Sequence, residues 1–310
     1  MDYIFKRVDA TSQADLIPIF KSAFGQSPEV KEISQKHTTD FVGLRDIGYI
    51  AYSDKNQPVA FYGVFPLEVS VNGKLFLAAQ SGDTMVVKAH EKRGLFTLLA
   101  NETYKLCQAK NITGIFGFPS PSSYPGFVKR LKWGHIENIN KYQFLIPTIP
   151  LAETSMRYLI FTRLTLRWHL FLTRFFSKGI PFEGSIMSEG LDGVHRSDGY
   201  WSYKLNSERV KLIKVQGFDV VIKFDGNLGI GDINYRTLKD LTRVIRRLKV
   251  LCFFAGINRI VFYVSPETKL DRDLSKITRP QKGLPIGFLN FTGNVDMSKL
   301  KFYYLDMDTY

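Results

Sequence analysis

At 310 residues the chain is longer than one hydrophobic core usually holds, so two domains of roughly 150 residues each are expected. Apolar residues make up 45% and aromatics 14%, which describes a folded globular protein and excludes a long disordered region. The net charge of +13 is unevenly shared, with 17 basic and 13 acidic side chains in residues 1–150 against 25 and 16 in residues 151–310, a field that favours a phosphate-bearing ligand, an anionic membrane surface or nucleic acid.

Helical spacing is predicted from Asp15 to Phe24 and from Glu29 to His37. Strands follow at Gly48 to Tyr52, Val59 to Val71 and Leu75 to Val87, and the Asn72-Gly73 pair between the last two is a strong hairpin signal. From Gly94 to Lys110, residues Leu95, Leu98, Leu99, Leu106 and Cys107 share one helical face. Ile115 to Phe118 is a short apolar strand. Prolines and serines from Pro119 to Pro125 interrupt the pattern before a helix at Gly126 to Leu131. A strand, helix and strand in that order make a parallel crossover, and joined to an antiparallel meander they give an α+β domain.

From Ala152 to Lys178 the pattern reads as one long helix bearing Arg157, Arg163, Arg167, Arg174 and Lys178, with no acid after Glu153. The last four cluster within roughly 60° of arc, and the rest of the circumference is Leu, Ile, Phe and Trp168. Two readings stand: a linker helix packed between domains, or an interfacial helix lying on anionic lipid. Beyond it, strands are predicted at Val210 to Val215 and Phe218 to Phe224, then a Gly-rich turn through Gly226 to Gly231. A helix from Tyr235 to Ala255 leads to a strand at Arg259 to Val264, and late strands run from Leu284 to Phe291 and Lys301 to Leu305. This order echoes residues 80 to 118, so a second copy of the same fold is expected. The domains would then be 1–150 and 181–310, joined by a linker helix at 151–180.

Cys107 and Cys252 lie in apolar helical patterns without CxxC or Cys/His spacing, which speaks against a disulfide scaffold or a zinc site. His90, His135 and His195 lack metal-ligand spacing as well. No signal-peptide core opens the chain and no run of 18 uncharged apolar residues occurs, so a cytoplasmic protein without a membrane span is expected. No nucleic-acid motif accompanies the basic charge, and nucleic acid is not expected as a partner. GNLGIGDI at 226–233 lacks the third glycine of a dinucleotide loop and reads as a turn between strands. Trp201 and Tyr203 in GYWSYKL line either a cleft or an aromatic core.

The segment that carries chemistry is Gln80 to Phe96, QSGDTMVVKAHEKRGLF, together with GFPSPSSYPGF at 117–127. A strand that ends in a short basic loop and opens a helix leaves unpaired backbone N–H groups aimed at one place. That arrangement binds an anion such as a pyrophosphate, helped by the helix dipole. Gly94 lets the backbone approach a phosphate closely.

This stretch resembles the coenzyme-binding motif of the GNAT acetyltransferases, Gln/Arg-x-x-Gly-x-Gly/Ala between a strand and a helix. The six positions are Glu91, Lys92, Arg93, Gly94, Leu95 and Phe96. Glu91 stands in place of Gln or Arg, and Phe96 in place of the small last residue. The run GLFTLLA is similar to a bacterial branch of the family. The resemblance implies an α+β fold with a mixed, mostly antiparallel sheet and helices on both faces. A second, degenerate GNAT-like domain would follow and shape the acceptor cleft. It implies acetyl-CoA or another acyl-CoA as co-substrate and no metal. The coenzyme would be held by Glu91 to Phe96, by Thr84, Met85 and Val86, and by the facing strand at Gly117 to Ser120, with Phe118 and Ser120 as its candidate contacts. The Glu91 carboxylate opposes a diphosphate unless Lys88, Lys92 and Arg93 outweigh it.

An acceptor amine would attack the thioester directly, with a base for the amine and an acid for the departing thiolate. Tyr124, one turn before the family's usual slot at Val128, is the candidate acid. Asp83 is the candidate base, with Glu68 a weaker one. The resemblance points to a small-molecule amine acceptor, an amino sugar of surface-polysaccharide synthesis, free or nucleotide-linked. The alternatives are a non-catalytic GNAT-like scaffold and an aminoacyl-tRNA-dependent peptide transferase.

Overall fold

The computed structural model describes residues 3–25, 27–155, 159–293 and 295–308. In chain order its strands and helices are β1 (Ile4–Arg7), α1 (Leu16–Phe24), α2 (Val30–His37), β2 (Ile47–Tyr52), β3 (Pro58–Val71), β4 (Lys74–Val86), α3 (Leu95–Ala109), β5 (Gly114–Gly117), α4 (Tyr124–Leu131) and β6 (Gly134–Leu145). They continue as α5 (Leu151–Ser155), α6 (Leu159–Thr173), β7 (Ser177–Lys178), α7 (Ser185–Ser188), β8 (Gly193–Val194), α8 (Asp198–Leu205), β9 (Val210–Val215), β10 (Phe218–Phe224), β11 (Leu228–Ile233), α9 (Leu238–Ala255), β12 (Arg259–Val264), α10 (Lys269–Ser275) and β13 (Gln281–Asn290).

These elements form two compact units, Met1–Ile136 with Pro285–Leu300, and Glu137–Leu284 with Lys301–Tyr310. The division falls inside β6 rather than at residue 150, and a late segment returns to the first unit. The physical reason is an open edge: β5 needs a partner on the side away from β4, and β13 supplies it through Gly287–Asn290 against Gly117–Gly114.

In the first unit β1, β2, β3 and β4 run antiparallel in order, and β5 joins β4 in parallel. The β3–β4 hairpin turns at Asn72 and Gly73, both at positive φ (50° and 73°), the geometry a two-residue turn requires. Helix α3 provides the crossover and buries Leu95, Leu99, Ala100 and Cys107 on one face of the sheet beside Phe127 of α4. On the other face α1 and α2 place Leu16, Ile19 and Ile33 against Ile50, Phe61 and Met85. The result is a mixed, mostly antiparallel sheet with helices on both faces.

In the second unit β9, β10 and β11 are antiparallel neighbours, α9 crosses over, and β12 lies parallel to β11. Asn140–Leu145 of β6 then runs antiparallel along β12. The succession β10, β11, α9, β12 thus repeats β3, β4, α3, β5. In both units the outer strand comes from a distant part of the chain, β13 in the first and β6 in the second.

Three expectations change. The helix expected over 152–178 is α5 followed by α6, which ends at Thr173; Lys178 sits in the two-residue β7, and Arg157 lies outside the described residues. Helix α6 is part of the second unit, with Leu172 buried in its core and His169 stacked on Phe224 and bonded to the Ala255 carbonyl. The glycine-rich segment is a strand, since all six residues of β11 are buried and hydrogen bonding to both neighbours overrides the glycine content. Lys301 to Leu305 forms isolated bridges at Lys301 and Tyr303 and a 3-10 turn at Tyr304–Asp306 instead of a strand. No helix among the described residues is long and apolar enough to cross a membrane.

Candidate active site

The candidate site is a fork. Strand β4 pairs with β5 only through Ala79–Ser81 against Ile115–Gly117, whereas its pairing with β3 extends to Val86. From Gly82 onward β4 therefore has a strand partner on one side. The register slips between Phe61 and Gly63, which face Met85 and Gly82, so β4 carries an extra residue there. Asp83, at φ 52°, sits in this bulge, a device that bends a strand and re-aims a side chain.

Hydroxyls lock the base of the fork. Ser81 Oγ donates to Tyr62 OH at 2.9 Å, Tyr62 and Tyr104 share a hydrogen bond of 3.0 Å, and Trp133 Nε1 donates to Tyr104 OH at 2.9 Å. Burial pushes both phenols well above their ordinary range, so they stay neutral. Gly117 has its place because a Cβ there would sit 3.3–3.4 Å from Ser81 and Trp133.

At the mouth of α3, Lys92 and Gly94 both take left-handed backbone angles (φ 61° and 78°), which curls the loop into a concave anion nest. The amides of Thr97 and Leu98 turn to the Gly94 carbonyl, leaving those of Leu95 and Phe96 without an acceptor among the described residues. No side chain caps this helix, and a Cβ on Gly94 would meet no atom within 4 Å. Lys88, Glu91, Lys92 and Arg93 are exposed around it. Arg93 is fastened by bonds to Tyr3 OH (3.1 Å) and the Ala89 carbonyl (3.4 Å), and Tyr3 also bonds His90 Nδ1. Phe96 departs from the motif for a packing reason. Its ring lies edge-on to Phe127 with centroids 5.1 Å apart and fills the space between α3 and Gly126 of α4.

Met85 is buried in the core with Phe61, so only its backbone faces the fork, while Thr84 and Val86 are half-buried. Phe118 is half-buried, edge-on to Phe116. Ser120 is exposed and bonds the hydroxyls of Ser122 and Ser123 in the turn that leads to α4. Tyr124 begins α4, half-buried, with its ring edge-on to His135 at 5.7 Å. Glu68 pairs with Leu77 five residues along β3 from Gly63, about 17 Å from the bulge, and is set aside as a base. Trp201 belongs to the core of the second unit, its Nε1 donating to the Phe182 carbonyl.

Around Asp83 the fold gathers groups that sequence reasoning missed. Lys36 of α2 forms an ion pair with its carboxylate, and His37 Nε2 lies 3.9 Å from Oδ2. His37 is 1% exposed, wedged edge-on against Phe61 and Phe65, and neither ring nitrogen has a hydrogen-bond partner among the described residues. Burial first, and then the charge of Lys36, press its pKa down to about 4, so the ring is neutral at pH 7. Gln80, opposite Phe65 in register, is buried with its Nε2 also unpartnered. Orphan polar groups around one phenylalanine suit a polar ligand that would satisfy them. Only contact across the sheet relates α2 to β4, and no local motif announces it.

The matching place in the second unit is closed. Strand β11 pairs with β12 through Leu228–Ile230, and beyond it Val264 of β12 bridges to Tyr303 in the chain's own late segment. Arg196 is buried between Asp232 of β11 and Asp306, bonding both. The mouth of α9 is stoppered by a capping box in which Thr237 and Asp240 each take the other's amide. No group of three metal-ligating side chains occurs among the described residues.

Residues 5–136 match the family model for the acetyltransferase (GNAT) domain. Over its length the chain is similar to a putative acetyltransferase from Pyrococcus horikoshii, at 16% identity and a TM-score of 0.59, covering 97% of this chain and 93% of that one. It is also similar to a probable N-acyltransferase from Enterococcus faecalis V583, at 12% identity and 0.59, covering 94% and 73%. Saccharomyces cerevisiae N-myristoyltransferase with bound myristoyl-CoA aligns at 8% identity and 0.60, covering 99% and 84%. No curated protein matches the sequence. These solved structures share the fold of the chain. Within the chain the likeness to a GNAT acetyltransferase domain lies at residues 5–136.

Proposed function

We propose that this protein moves a short acyl group, acetyl above all, from acyl-CoA to the amine of a small molecule, and that it does so in the fork of the first unit. The observation that carries the reading is the uncapped mouth of α3 beside a β4 edge with no strand partner, set against the stoppered mouth of α9. The amides of Gly94, Leu95 and Phe96 would take a diphosphate, with Lys88, Lys92 and Arg93 outweighing Glu91. The backbone of Thr84, Met85 and Val86 would run along one side of the pantetheine arm, and Phe118 to Ser120 along the other. The bound coenzyme supplies a thioester as acyl donor.

The residues of this chain divide the remaining work. Asp83, held by Lys36, takes the proton of the acceptor amine as the C–N bond forms. Tyr124 returns a proton to the sulfur as the C–S bond breaks. An amino sugar, free or nucleotide-linked, is the acceptor we favour, since the second half of the chain carries most of the positive charge. The second unit, with its mouth and edge closed, serves the acceptor rather than the coenzyme. Calorimetric titration with acetyl-CoA, followed by thiol release against a panel of amines, tests the reading. Saturable binding with amine-dependent release is expected. Absence of binding at millimolar coenzyme would leave a non-catalytic protein.

A further inference from the structure

Helix α6 turns one face into the second unit through His169 and Leu172 and leaves an apolar stripe outside. Phe161, Leu164, Trp168 and Phe171 recur along it and Phe175 follows in the turn after it, each between 46% and 69% exposed. Trp168 ties this helix to the C-terminal end of α9 by a bond from Nε1 to the Phe254 carbonyl, and Val250, Phe253 and Phe254 of α9 are exposed as well. Two aromatic helices thus present a patch well beyond the scattered apolar exposure that a soluble surface normally shows.

The flanks of the patch are basic. Arg163 and Arg167 on α6, Arg174 just after it, and Arg243, Arg246 and Arg247 on α9 are exposed. No acidic residue occurs between Glu153 and Glu183, nor between Asp240 and Glu267. Among the described residues Arg167, Arg174 and Arg246 have no carboxylate at ion-pair distance. A second copy of the chain seated on this face would set cations against cations. A nucleic acid would answer the charge but offer no apolar receptor for the aromatic stripe. The headgroup layer of an anionic bilayer answers both, with phosphates for the arginines and acyl chains for the rings.

We propose that α6 and the C-terminal end of α9 form a peripheral membrane-binding face that seats in anionic phospholipid. The inference does not depend on the acyl-transfer reading. The whole protein should float with phosphatidylcholine vesicles containing about a quarter phosphatidylserine, stay behind with phosphatidylcholine alone, and be released by high salt. Trp133 and Trp201 are each only 3% exposed, so a blue shift of emission on adding vesicles would report Trp168 entering the interface. The surface substitutions Arg167→Gln with Arg174→Gln, which remove no buried group, should weaken partitioning about tenfold or more while the fold is kept. Three results would overturn the proposal: no flotation with unchanged Trp168 emission, a stable dimer that shields Trp168 from quencher without lipid, or binding to DNA in preference to vesicles.

Discussion

His37 couples folding of the first unit to pH. Its ring is buried at a pKa of about 4 but returns to about 6.5 once the chain unfolds. Between these values the unfolded state binds the extra proton. The stabilising contribution is therefore complete above pH 6.5 and is lost as pH falls toward 4, by about 3 kcal/mol at most. Denaturant unfolding at pH 7 and pH 5 should show the decline, and His37→Gln should flatten it. If Asp83 is the base, Asp83→Asn lowers kcat about a hundredfold or more while the Kd for acetyl-CoA changes little. A comparable loss of coenzyme binding would instead make Asp83 a support for the bulge. Glu91 is a carboxylate beside the proposed diphosphate site, without a partner among the described residues, so Glu91→Gln should tighten acetyl-CoA by a few fold, read by calorimetry at low salt.

Two elements with the same fold position differ at their mouths. Helix α3 opens on a left-handed glycine with free amides; α9 opens on a capping box. Gly94→Ala places a Cβ in open space but at φ 78°, so it should cost about 1–2 kcal/mol of backbone strain and crowd an approaching phosphate. Its measured effect should be larger on the Kd for acetyl-CoA than on stability. The α3 mouth was legible in the sequence because strand, basic loop, glycine and helix are contiguous. The hairpin at Asn72-Gly73 was legible for the same reason, and so was β12. Strand β11 was not, since Gly229 and Gly231 read as breakers until neighbouring strands pair with them on both sides. Nor was the Lys36, His37 and Asp83 group, which the sheet assembles from a helix and a strand almost fifty positions apart.

For the molecule as a whole, local patterning conveyed the sheet type and the repeated succession of elements but not the ownership of outer strands. A fragment of residues 1–150 lacks β13 and exposes the edge of β5, so it should aggregate or fail to unfold cooperatively, whereas the intact chain should not. Size-exclusion chromatography and circular dichroism melting would decide. In the second unit, Arg196→Leu would strand Asp232 and Asp306 in the interior, a loss of about 3–5 kcal/mol visible as a lower Tm.

The late strand beside β5 also sets a timetable. During synthesis the first unit's earlier strands leave the ribosome first, yet the far edge of β5 stays unpaired until roughly 170 further residues have followed it. A prematurely terminated chain would therefore keep an open sheet edge, and the same waiting period would favour chaperone engagement with the nascent amino-terminal half.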